Sequence, residues 1–213
     1  MKIELEQVLP QDIEARSFAL IEAELPHPLP PDLAPIIKRV IHTTADFDYA
    51  DTLCFSPGAI EKAQAALKQG AVIVTDTNMA LAGINKAALE ALNCTAQCFM
   101  ADPEVAKAAR EQGTTRAAAA VDKAAKLCGP VIFAVGNAPT ALIRLCEHIQ
   151  KGTVDPALVI GVPVGFVNVI QAKECVMETN APYIVARGRK GGSTVAAAIV
   201  NALLYQLTRR ENT

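Results

Sequence analysis

The chain has 213 residues, 51% of them hydrophobic but only 4% aromatic and none Trp, with a net charge of -2. That length suits one α/β domain whose core is built from Ala, Val, Ile and Leu. The balanced charge speaks against a nucleic-acid binder, which carries a strong basic excess, and no run of about 18 apolar residues is present to cross a membrane.

The N-terminal "MKIELEQVLPQD" alternates charges and lacks the apolar centre of a secretory leader, so a cytoplasmic protein is expected. Its six cysteines should then be reduced. Cys94 and Cys98 are the one close pair, without the further ligands a zinc site needs, and read as small buried hydrophobes. Two helices come first, "IEARSFALIEAEL" and "DLAPIIKRVIHTT", joined by the Pro-rich "PHPLPP". In the second, Ile36, Ile37, Val40 and Ile41 share one side and His42 ends the stripe.

From residue 56 the pattern becomes regular. "SPGAIEKAQAALKQG" predicts a helix with Ser56 as N-cap, Pro57 at the first position and Gly70 at the end. "AVIVTD" reads as a buried strand, "INKAALEAL" as a helix and "QCFMA" as a second strand. Helices over "PEVAKAAREQG" and "TRAAAAVDKAAKLCG" lead to the strand "VIFAVG", the helix "PTALIRLCEHIQKG" and the strand "ALVIGV". A helix near "NVIQAKECVMET", the strand "YIVARG" and a last helix, "STVAAAIVNALLYQL", complete the chain. Five apolar strands, each followed by a helix, predict a doubly wound five-stranded parallel sheet with an N-terminal helical addition. No repeat or linker divides residues 1–213, which read as a single domain.

In such sheets ligands bind beyond the carboxyl ends of the strands. Those ends are "TDTNMALAGIN", "MADPE", "VGNAPTA", "GVPVGF" and "ARGRKGGS", and three run directly into a helix N-terminus, where free N–H groups attract anions. Arg187, Arg189 and Lys190 add positive charge at the last edge. In "GRKGGS" the lysine precedes the glycine pair, so the phosphate-loop pattern is incomplete, and "GVPVGF" does not complete G-x-G-x-x-G. Each of these glycines is either a turn needing positive φ or part of a ligand cradle. In "GNAPTA", Asn137 fits an N-cap and Pro139 the first turn of a helix. Arg116 opens a helix whose dipole disfavours a cation there, which suggests a charge held for a partner. His27, in the linker, and His148, late in a helix, read as structural. His42 has Arg39 three residues earlier on the same helical face, an arrangement that makes sense where an anion visits. Spacing alone leaves His42 either a packed residue or an acid–base group; no second histidine or carboxylate cluster supports a metal role.

Taken in order, "IIKRVIHTTADFD", "TDTNMALAGINK", "GNAPTAL", "GVPVGFV" and "ARGRKGGSTVAAAIVNALLY" closely resemble the precorrin-8X methylmutase family of cobalamin biosynthesis, from about Ser17 to Tyr205. "HTTADFD" and Lys190 are similar to the anaerobic branch, which acts on cobalt-precorrin-8. The resemblance implies a flavodoxin-like fold, a homodimer with its active site near the interface, and an isomerisation moving a methyl group from C-11 to C-12 of the macrocycle. It also implies His42 as the essential residue and Ser17, Arg39 and Arg116 as substrate contacts. A 1,5-methyl shift needs no redox cofactor, nucleophile or protein-held metal, so no cofactor is expected, and any cobalt is carried by the substrate. A histidine donating a proton or hydrogen bond to the ring C nitrogen makes the accepting carbon electron-poor. Because the corrinoid substrate bears many carboxylates, Arg187, Arg189 and Lys190 join Arg39 and Arg116 as expected partners. Two rivals remain on sequence grounds: a non-catalytic corrinoid carrier, and a phosphate- or nucleotide-binding domain using "GNAPT" and "GRKGGS".

Overall fold

The computed structural model describes residues 6–208; the first residues of the segment read against a leader, 1–5, and residues 209–213 lie outside them. After a 3-10 turn (Pro10–Asp12), α1 (Ile13–Glu24) and α2 (Ala34–Thr44) form the N-terminal addition. α2 keeps its stripe wholly buried through Ile36, Ile37, Val40 and Ile41, and stops where Ala45 turns left-handed and donates its N–H to the Ile41 carbonyl. The short α3 (Tyr49–Thr52) leads directly into β1 (Leu53–Phe55).

The alternating part contains α4 (Ala59–Lys68), β2 (Val72–Thr75), α5 (Asn78–Gly83), α6 (Lys86–Ala91), β3 (Thr95–Gln97), α7 (Pro103–Glu111) and α8 (Arg116–Ala124). It continues through β4 (Val131–Val135), α9 (Pro139–Gln150), β5 (Leu158–Gly161), α10 (Val169–Met177), β6 (Tyr183–Ala186) and α11 (Ser193–Thr208). Thr77, Asn85, Asp102 and Thr115 cap α5, α6, α7 and α8 by accepting a backbone N–H.

The sheet has six strands, in the order β1-β6-β5-β4-β2-β3, and it is mixed, so the expected five-stranded parallel sheet is corrected. The five expected strands pair in parallel, and β1 adds antiparallel to β6 at one edge. Three residues are too few to display a period of two, which is why "LCF" escapes a pattern reading. The same edge corrects the expected start of α4. Ser56 is no N-cap: its N–H donates to the Tyr183 carbonyl and its hydroxyl accepts from the Tyr183 N–H, prolonging the strand pairing. Gly58, in the left-handed region, occupies the cap position instead. β3 also lies earlier than expected, because the Thr95–Gln97 backbone pairs with Val72–Val74 while Phe99 and Met100 turn to pack on α7 and α8.

The strands alternate between two cores. Ile132, Ala134, Leu158, Ile160 and Ile184 face α2, α4 and α11, whereas Val131, Phe133, Val135, Val159 and Val185 face α8, α9 and α10. α11 is apolar nearly all round because α2, α4, α5 and α6 enclose it.

Beyond the carboxyl ends of β5 and β6 the backbone is fastened at very short range. Gly192 donates its N–H to the Val162 carbonyl at 2.8 Å, and a Cβ placed on Gly191 (φ +156°) would lie 2.0 Å from that same oxygen. Gly191 of "GRKGGS" is therefore a requirement of backbone packing, while Gly192 is favoured by its positive φ of +139°. Gly191→Ala should cost at least about 2 kcal/mol. Gly113→Ala, where a Cβ meets nothing within 4 Å at φ +64°, should cost about 1 kcal/mol. Urea denaturation midpoints of the two variants check this difference.

Candidate functional site at the end of the second helix

His42 lies in the last turn of α2, exposed, against the ring of Phe18 on α1, with ring centroids 5.5 Å apart and tilted by 56°. A depression of about 320 Å³ opens here, lined by Ser17, Leu20, Ile21, Glu24, Ile41, His42, Ala45 and Phe47. The structure thus brings His42 and Ser17 onto one surface, apolar except for their own polar atoms and Glu24. Ser17 donates its hydroxyl to the Ile13 carbonyl at 2.9 Å, so its oxygen still has acceptor capacity.

Arg39, which also packs on Phe18, is held as a fixed cation. Its guanidinium bonds both oxygens of Glu14 at 2.8 and 3.1 Å and lies 4.7 Å over Phe18 and 5.2 Å over Tyr205. It borders a separate cavity of about 840 Å³ that reaches α4 and α11. Phe18, absent from the sequence expectations, is the wall shared by Arg39 and His42.

Lys190 reaches back to the turn that follows His42. Its ammonium bonds Asp46 at 2.6 Å and Asp48 at 2.5 Å, which raises its own pKa and holds the Asp46 carboxyl below its ordinary range. "GRKGGS" and "HTTADFD" are therefore neighbours in space. Arg187 forms a bidentate pair with Glu174 at 2.9 and 3.0 Å. Arg189 lies with its guanidinium 5.7 Å over Phe166, which is 86% exposed on the loop after β5 beside the exposed Val164 and Val167. Arg116, exposed at the start of α8, has no ion-pair partner among the described residues, and no contact joins Arg116, Arg187 or Arg189 to His42. Thr115 next to it bonds the "GNAPTA" segment at the Thr140 hydroxyl, 2.9 Å away.

The carboxyl ends of β2 and β4, where the strand order reverses, are where doubly wound sheets usually hold a ligand. Here the buried Asp76 fills that place. Its carboxylate accepts the N–H groups of Gly136, Asn137 and Ala138 at 2.8, 2.8 and 2.6 Å. Burial raises its pKa above the ordinary carboxylate value, and the three donors offset only part of that rise. The amides with which "GNAPT" would hold a phosphate on the rival reading are engaged by the protein's own carboxylate. An acid directly after "VIVT" was the available sequence signal. Thr77 and Ser193 complete the fastening, their hydroxyls 2.8 Å apart.

The other histidines have structural partners: His27 pairs with Asp51 at 2.7 Å, and His148 bonds Asp122 at 2.7 Å and Thr153 at 2.8 Å. Cys94 is buried, with its thiol against the Leu67 carbonyl. Among the described residues no cluster of three or more His, Cys, Asp or Glu side chains could hold a metal, and no helix is long and apolar enough to cross a membrane.

A family model described as precorrin-8X methylmutase matches residues 12–206. The cobalt-precorrin-8 methylmutase of Salmonella typhimurium is 50% identical over 205 residues, covering 93% of this chain and 96% of the relative. The precorrin-8X methylmutase of Pseudomonas aeruginosa is 41% identical over 196 residues, covering 91% and 94%. Among solved structures, precorrin-8x methyl mutase from Thermus thermophilus superposes with a TM-score of 0.84 at 44% identity, covering 91% of this chain and 94% of that one.

Removing the carboxylate at the strand reversal should leave three N–H groups without their acceptor. Asp76→Ala is expected to lose about 3 kcal/mol or more of stability, and Asp76→Asn less, because one carbonyl oxygen is retained. Thermal and urea unfolding of the two variants check the order.

Proposed function

The chain belongs to the precorrin-8X methylmutase family, and from that premise we propose that His42 is the acid of a methyl-migrating isomerase acting on cobalt-precorrin-8. The enzyme moves a methyl group from C-11 to C-12 of the macrocycle, giving cobyrinate, with no change in composition. The observation that carries the assignment of the site is the depression shared by His42 and Ser17, inside a match that spans nearly the whole chain.

The chemistry is the one that the family resemblance implies. His42 lends a proton, or a hydrogen bond, to the ring C nitrogen; the conjugated ring becomes electron-poor at C-12; the methyl group migrates, and the proton returns to the imidazole. General acid assistance of this kind contributes roughly 100- to 10,000-fold. The remainder comes from holding a flat macrocycle in one orientation. Phe18, Leu20, Ile21 and Phe47 offer apolar surface around the imidazole. Arg39 supplies fixed positive charge, Arg187 holds an exposed pair with Glu174 that substrate carboxylates can exchange at little cost, and Lys190, held by Asp46 and Asp48, adds a cation at the rim. Arg116 and Arg189, without carboxylate partners among the described residues, are further rim cations.

A depression of about 320 Å³ lies at the small end of ligand pockets and covers only part of a tetrapyrrole. That, together with exposed Phe166 and Val167, supports a homodimer in which a second subunit completes the enclosure. The parallel strands run β3-β2-β4-β5-β6, the order of flavodoxin-like sheets, which supports that description of the whole chain as one domain. The proposal places the enzyme in the cytoplasm and gives it no cofactor of its own, the cobalt arriving with the substrate.

Single-turnover conversion of cobalt-precorrin-8, followed by absorption and mass, tests this reading. Wild type should change the spectrum without changing the mass, and His42→Ala should bind the coloured substrate without converting it, with its fold intact. Binding without conversion by both proteins would make this a corrinoid carrier instead. Arg39→Ala is expected to weaken substrate binding by about tenfold or more, through loss of a charge-assisted contact; absorbance titration against wild type measures it, and equal affinity removes Arg39 from the site.

A further inference from the structure

α10 presents an anomaly. Its inward face carries Val169, Ala172 and Val176, all buried, and with them Lys173, whose exposure is 0%. Placing an ammonium in such surroundings opposes folding, and burial pushes this lysine's pKa down to about 8. No carboxylate among the described residues answers the charge. Instead Nζ donates to two main-chain carbonyls, those of Gly188 and Lys190, each at 2.8 Å. Both lie on the loop after β6 that carries Arg187, Arg189 and Lys190, and the Lys190 side chain in turn grips Asp46 and Asp48 just after His42.

We propose that Lys173 is a positioning residue for the reaction: its buried ammonium fixes the backbone of residues 188–190 and, through the Lys190 side chain, the turn that sets His42. The chain of contacts is continuous, from Nζ to two carbonyls, along one residue of backbone, through one ammonium to two carboxylates, and to the helix end. An apolar side chain at position 173 would fill the space without the cost of burying charge, but it would leave both carbonyls without a donor. The role in turnover rests on the methylmutase reading; the connection to His42 does not.

The test uses the full chain and two readouts. The three histidines give three imidazole Cε1–H signals by NMR, with His42 identified through His42→Ala. Lys173→Met should shift the His42 signal and leave those of His27 and His148 in place. Conversion of cobalt-precorrin-8 by the same variant should show kcat reduced by about tenfold or more, exceeding any change in KM. Lys190→Met, an exposed substitution, should shift the His42 signal likewise, and the double variant should add nothing further. An unmoved His42 signal in a folded Lys173→Met protein, or a common shift of all three, overturns the proposal. Should Lys173→Met fail to fold, Lys190→Met decides, and an unmoved His42 there overturns it equally. Absence of turnover in wild type removes the methylmutase reading alone, since the NMR comparison still reports on the connection.

Discussion

One carboxylate at the strand reversal organises the working end of this molecule. Asp76 accepts three N–H groups from the residues that lead into α9, at the place where a sheet of this kind leaves a crevice. With that crevice closed by the protein's own anion, the loops around it can serve as a rigid platform. Ser193 is tied to Thr77, Gly192 to Val162, and Lys173 to the two carbonyls beyond β6. The candidate acid stands to one side of the sheet, on the helical addition, facing outward over apolar surface.

This displacement makes sense for the size and shape of the ligand. A nucleotide can be swallowed by a slot between strands, but a broad macrocycle fringed with carboxylates needs a shelf. On the proposed reading, helix ends and loops from distant parts of the chain would supply it, α1 and α2 the apolar face and the imidazole, and the β5 and β6 loops the cations. The cations divide into two kinds. Arg39, 14% exposed, is clamped between two rings and a carboxylate, whereas Arg187 sits in an exposed pair with Glu174 that exchanges readily.

Much of this architecture was written in local pattern. The buried strands "VIFAV" and "LVIG" and the stripe of α2 announce themselves through runs and spacings longer than one turn or one pair. β1 does not, because three residues define no period and its pairing with β6, prolonged by Ser56 and Tyr183, spans more than a hundred positions. The site was legible in part. His42 could be placed at the end of its stripe, and Lys190 and "HTTADFD" could each be singled out, but their contact could not be foreseen. Phe18 looked like any core aromatic until α1 was laid across α2. Lys173 left a trace that spacing alone could have exposed, a lone cation in the buried stripe of α10.

The packing of α2 against α11 carries a consequence for the order of events during synthesis. The helix bearing His42 is made early, yet one of the two rings that seat Arg39 belongs to Tyr205, and Gln64 on α4 bonds Gln206 at 2.7 Å. α11 must leave the ribosome before α2 can settle against it, so residues translated early wait for ones translated late. A chain still lacking α11 therefore leaves the helix of His42 without the neighbour on which its buried stripe packs.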